Sequence, residues 1–401
     1  MLKGLYVHEN NLNGLIFSTI QNLTSLEYIS ASFNAFEGTI PDTIGQMKNL
    51  AALELGSNLL TGIVPPSIYN LSSITVLSLH YNQLNGILPT NIASTLPCLE
   101  VLNLAGNHFS GTLPVSLSNI SSITRIELRK NKFTGKILWD LGHLKHLENL
   151  QIDYNLLGSG EADDLSFLTS LVNCSNLRKL DIGVNYLGGE LPKAITNLST
   201  KLIWLSLGEN IISGTIPAGM SRLSNLVQLD MNNNQLSGIV PSDIGKLHKL
   251  EEIGLSVNMF TGTIPESLGN LSKLSSLQLY GNNFHGTIPS SLGNCQNLNF
   301  LAMTQNSLSG TIPKDLFRAV ARMNCVVKMM EIGVACSMES PQDRMNLKDA
   351  TVELLKVKDD LIKGMNFNQM NTYGYSYFPP AAAAEEEEEK QEKEEKKKKW
   401  L

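Results

Sequence analysis

His143 and His146 stand three residues apart, a spacing that can put two metal ligands on one side of a helical turn. No third ligand follows at metal-site spacing. The other histidines (His8, His80, His108, His248 and His285) are scattered, so surface imidazoles are expected and a metal is not. Five cysteines, Cys98, Cys174, Cys295, Cys325 and Cys336, are odd in number and lack close pairing, which predicts buried or half-buried thiols and neither a disulfide framework nor a zinc site. No serine or cysteine sits in a nucleophile motif, no paired carboxylates suggest a cleft, and no cofactor is expected. Six N-x-S/T sequons, at Asn22, Asn70, Asn119, Asn173, Asn197 and Asn270, could accept glycans.

The remaining chemistry is noncovalent. Charged and polar residues recur two apart through the middle of the chain: Arg125, Glu127 and Arg129 with Lys130; Glu148, Gln151, Asp153 and Tyr154; Arg178, Lys179 and Asp181. Trp204, Ser206 and Glu209 follow, then Gln228, Asp230 and Asn232. Alternate residues of a strand share one face, so these positions are expected to form one outward strip. Arginine and aromatic residues are the types enriched at interface hot spots, and little else in the pattern calls for an exposed indole at Trp204. Such a strip suits a peptide or protein partner. A net charge of −6 gives no basic footprint for nucleic acid.

The elements that carry the strip come from a repeat. The unit L-x-x-L-x-L-x-x-N-x-L-x-G-x-I-P recurs thirteen times, with asparagines from Asn10 to Asn306 in steps of 24 or 25 and one step of 30 between Asn155 and Asn185. In a stretch such as Leu53–Leu55 the leucines should point inward, while Ala52, Glu54 and Gly56 face out. The asparagine amide can satisfy backbone groups of adjacent coils. Gly62 and its equivalents supply positive φ where the chain returns, and the Ile-Pro or Val-Pro steps favour extended backbone. One coil cannot bury its leucines alone, whereas stacked coils bury a continuous core. At the long step, Gly158-Ser-Gly160 replaces G-x-I-P and Glu161, Asp163 and Asp164 follow; a longer acidic loop with a short helical turn is expected there.

The 24-residue period with G-x-I-P resembles the extracellular leucine-rich repeats of plant receptor kinases. Leu168-Thr-Ser-Leu171-Val-Asn-Cys174, Gly214-Thr-Ile-Pro217 and Ser291-Leu-Gly-Asn-Cys295 are similar to its immune-receptor branch. The resemblance covers residues 1–317 and implies an α/β repeat solenoid, a right-handed superhelix with a parallel sheet on its concave side. It also implies recognition of peptide or protein ligands in defence or signalling, with a co-receptor as a second partner and glycans on the convex or lateral side. Residues 318–364 are expected to be helical, and Val326–Lys358 resemble the last helices of the same family's kinase, where Arg344 would match a structural ion-pair arginine. Residues 365–401 form a low-complexity Ala/Glu/Lys tail, expected to stay disordered.

The family's kinase activity would need G-x-G-x-x-G, V-A-I-K, H-R-D-L-x-x-x-N and D-F-G, none of which occurs, so a catalytically dead chain is expected. The first residues, MLKGLYVHENN, hold no signal peptide, and no run of about 18 apolar residues could cross a bilayer. The family places its repeats outside the plasma membrane. A truncated or mis-joined reading frame is the expected source of these departures. A secreted inhibitor of a foreign hydrolase is a third reading, against which the missing cysteine-paired caps count.

Overall fold

The computed structural model describes residues 2–16 and 18–316. The helical stretch and tail expected over 318–364 and 365–401, with Arg344, Cys325 and Cys336, lie outside the described residues.

Each repeat makes one coil. A three-residue strand opens it, from Gly4–Tyr6 in the first coil through Arg125–Glu127 in the sixth and Trp204–Ser206 in the ninth to Phe300–Ala302 in the thirteenth. These strands pair in parallel, each with the next coil, in a thirteen-stranded sheet. The register joins equivalent repeat positions: Arg125 pairs with Asn149, Asn149 with Lys179, Lys179 with Trp204 and Trp204 with Gln228. The central leucine of each strand enters the core, as Leu53, Leu77, Leu180 and Leu229 do at 0 % exposure. Ala52 and Glu54 stay half-exposed on the sheet side, as alternation requires.

The asparagine spine joins the coils. Asn131 Nδ2 donates to Leu128 O at 3.1 Å and Arg129 O at 3.2 Å in its own coil, and to Leu104 O at 2.9 Å in the preceding one. Its Oδ1 accepts from Phe109 N at 2.9 Å. Asn58 and Asn155 repeat the same four bonds. One side chain thereby closes backbone groups that would each cost about 1–3 kcal/mol if buried unpaired.

The residue just before each asparagine has positive φ in every coil. It is glycine only at Gly106 and Gly281; elsewhere it is a residue such as Lys130 (φ 53°), Tyr154 (φ 52°) or Val184 (φ 51°). A β-branched residue is strained there, by about 1–2 kcal/mol, and the spine holds it. The sequence reading assigned positive φ to Gly62, which has φ 79°. It missed this second position because no residue type marks it.

After the G-x-I-P segment the chain turns through a 3₁₀ helix whose preceding proline is extended, as at Pro41 (φ −66°, ψ 131°) before Asp42–Gln46. Flanking strands form two further parallel sheets, one of seven strands and one of five. The break between them falls at the 30-residue step. There Asp164, 1 % exposed, accepts from the backbone N of Ser159, Gly160, Glu161 and Gly188, and the turn Phe167–Ser170 is helical. Lys136 Nζ binds Asp163 at 2.7 Å and also Glu161. The acidic insertion is therefore tied down by its own contacts.

In the first coil Leu5 is half-buried and Leu2 is 51 % exposed, whereas Leu229 is fully buried. The Leu5 amide is expected to exchange with deuterium about 100-fold or more faster than that of Leu229. Equal protection would mean the first coil is held by something other than core burial.

Candidate functional site

The sheet side gathers the candidate residues in three columns, because each strand presents two outward positions and the residue two further on adds a third. Arg125, Trp204 and Gln228 fall in the first column, and Glu127, Gln151, Asp181, Ser206 and Asp230 in the second. Arg129, Asp153 and Asn232 follow two residues later. Arg178 precedes its strand and is exposed, and Tyr154 occupies a positive-φ position.

Burial divides the strip. Gln151 (6 %), Asp153 (1 %), Asp181 (7 %) and Ser206 (7 %) point outward by register yet are buried, because longer neighbours lie across them. Arg129 Nε sits 3.2 Å from Asp153 Oδ2. Neither Asp153 oxygen receives a hydrogen bond, so the contact is between charges and not an aligned bond. Burial, and next the charge of Asp181, pushes the Asp153 carboxyl well above the usual range, and Arg129 offsets only part of this. Burial raises Asp181 as well, although Gly183 N donates to its Oδ1 at 3.2 Å. Burial pushes Asp230 up to about 6, against two bonds from Asn232 to Oδ1, at 3.0 Å from N and 2.7 Å from Nδ2.

Trp204, expected to be exposed, is half-buried. Lys179 Nζ lies 4.4 Å from its ring centroid, and its buried Nε1 has no acceptor. The packing came from a lysine in the preceding coil, which spacing within one repeat does not reveal. Lys130 covers Tyr154 similarly, at 5.6 Å. Sequence reasoning passed over Glu252, Ser256 and Tyr280 in coils eleven and twelve, whose columns continue the same face. Their signal was available: Glu252 holds the register of Gln228, and Ser256 and Tyr280 that of Asn232.

The other candidates are placed apart. All six sequon asparagines are exposed, each the last residue of a 3₁₀ turn on the far side of the coil from the sheet. Cys174 and Cys295 are buried just after such turns, with Sγ 3.1 Å from Leu141 O and 3.3 Å from Leu268 O, and burial raises both thiols to about 11. Cys98 is exposed. His143 and His146 are exposed. Among the described residues no group of three or more His, Cys, Asp or Glu could hold a metal ion, and no helix is long and apolar enough to cross a membrane.

Parallel coils, an asparagine spine and 3₁₀ returns define a leucine-rich-repeat solenoid, and its repeats resemble those of plant receptor-like kinase ectodomains. Leucine rich repeat models match residues 32–84, 98–120, 176–198, 225–247, 249–271 and 273–295. The LRR receptor-like serine/threonine-protein kinase EFR of Arabidopsis thaliana is 48 % identical over 86 residues, 21 % of this chain and 8 % of that protein. The match thus spans less than a tenth of the curated relative. A crystal structure of a TDR receptor is similar at TM-score 0.68 and 32 % identity, covering 79 % of this chain and 58 % of that one. The Arabidopsis receptor kinase HAESA, solved in complex with the peptide hormone IDA and the co-receptor SERK1, is similar at TM-score 0.70 and 30 % identity, covering 78 % of this chain and 51 % of that one.

Proposed function

We propose that the chain is a recognition module that binds an extended peptide or a protein segment across the sheet side of coils six to eleven, in a signalling or defence role, and that it performs no phosphoryl transfer. The observation that carries this is the concentration of Arg125, Arg129, Arg178, Trp204, the buried carboxylates Asp153 and Asp181 and the half-buried Asp230 on one continuous face. The likeness to receptors solved with peptide hormones and a co-receptor supports the class of partner.

The test is retention of the full chain on an array of immobilised extended peptides. Trp204→Ala and Arg178→Ala are expected to weaken retention at least tenfold, as truncation of a hot spot does. Lys249→Ala, which removes a side chain bonded to Asn225 away from the strip, should leave it unchanged. Equal effects of all three would remove the sheet side from consideration. A receptor kinase is the competing reading, and transfer of labelled phosphate from ATP by the purified chain would favour it.

A further inference from the structure

The far end of the strip is acidic. Coils six to eight mix Arg125, Arg129, Lys130, Arg178 and Lys179 with Glu127, Glu148, Asp153 and Asp181, while coils nine to eleven carry Glu209, Asp230, Glu251 and Glu252 with no lysine or arginine at sheet-side positions. Adjacent strands lie about 4.8 Å apart, so the interval from coil six to coil eleven spans about 24 Å, the length of roughly seven extended residues. A peptide along it meets a mixed end and an acidic end.

Asp230 is the centre of the acidic end. Its neighbours Gly208 and Gly254 present no side chain, and a Cβ added at Gly208 would stand 2.6 Å from Asp230 Oδ2. Oδ1 is engaged by Asn232, but Oδ2 has only Ser206 Oγ at 3.5 Å, too long for a strong bond. Asp181 and Glu209 add negative charge around it, and burial, then Glu209 and Asp230 itself, raise the Tyr280 hydroxyl. Glu252 is raised by burial and by Glu251, while the cation of coil eight, Lys179, lies over the Trp204 ring.

A second feature is independent of the charges. Ser256 is 0 % exposed, stands at the sheet-side position between Asn232 and Tyr280, and its Oγ has no partner. Trp204 Nε1, buried at the other flank, has none either. Buried polar atoms left without a partner are rare in folded proteins, and two of them flanking the acidic coils set this part of the sheet side apart from the rest. A metal does not suit the place, since no metal-binding group exists among the described residues.

We infer that the acidic half of the sheet side, centred on Asp230, receives an arginine or lysine side chain of the bound peptide, with an N–H donor directed at Asp230 Oδ2. This rests on the reading of the sheet side as the binding face. Gly208 and Gly254 let the Asp230 and Asn232 side chains lie close against the sheet, where no neighbouring side chain stands between them and a ligand's N–H.

A positional-scanning array of extended octapeptides, probed with the full chain at pH 7.5 and pH 5.0, tests it. Arginine and lysine should be enriched at one position, and Asp230→Asn should weaken retention about tenfold or more without lowering the melting temperature followed by circular dichroism. Gly208→Ala, whose Cβ displaces Oδ2 without altering charge, should reproduce the loss. Retention by the unmodified chain should fall several-fold at pH 5.0, where Asp230 takes up a proton and loses its attraction for the cation. Peptides retained without basic preference, or equally by Asp230→Asn, would overturn the inference and leave the binding face standing. An array that retains nothing would overturn both.

Discussion

Asn131→Ala is expected to lower the unfolding free energy of the solenoid by about 3 kcal/mol or more, measured by urea denaturation. The substitution deletes four hydrogen bonds, and the residue is only 9 % exposed. The amide of Phe109 loses its acceptor inside the stack, at about 1–3 kcal/mol, and the carbonyl of Leu104 keeps only Asn107 Nδ2 at 3.1 Å. Both belong to the preceding coil, so the damage is to the junction between coils and should spread to neighbours in a one-dimensional array. Asn283→Ala is the control, since that asparagine is exposed on a flanking strand, and its change should stay within about 0.5 kcal/mol. A loss for Asn131→Ala no larger than the control's would show that the spine does not carry the coil junctions.

Acidification from pH 8 to pH 5 is expected to raise the melting temperature. Asp153, Asp181 and Asp230 all have carboxyls raised by burial above their unfolded value near 3.9. Between the unfolded and folded values the folded chain holds more protons, so stability falls as pH rises. The contribution is full below about pH 4 and is lost as pH climbs through the folded values, about 6 for Asp230 and higher for Asp153. For Asp230 the span from the unfolded to the folded value amounts to about 3 kcal/mol. Asp163 acts oppositely, since its bond to Lys136 lowers its carboxyl, but it is exposed and its part is small. Melting curves at pH 5, 6.5 and 8 should slope downward, and Asp153→Asn should flatten the slope above pH 6. A melting temperature that drops on acidification over this range would contradict the assignment.

These two results bear on one another through the fold. The spine fixes the coils rigidly enough that carboxylates can be held under arginine and lysine side chains from adjacent coils. Arg129 over Asp153 illustrates it: the ion pair is nearly dry, and the desolvation of Asp153 exceeds what one guanidinium returns. Such a face stores unfavourable charge that a cationic ligand can relieve.

The sequence alone determined the coils. A 24-residue period with leucine alternation allows one packing, so the inward leucines, the asparagine bonds, the positive φ of Gly62 and the break at Gly158-Ser-Gly160 were all legible from position within a repeat. The strip from Arg125 to Asn232 was legible for the same reason, as outward positions of strands. Only the tertiary structure decided what those side chains do. Lys179 covering Trp204, Arg129 meeting Asp153, Asp230 standing between two glycines and the strained φ at Val184 all depend on the neighbouring coil. A repeat pattern describes each coil as if alone, whereas burial, charge and open hydrogen bonds on the sheet side are set between coils about 4.8 Å apart.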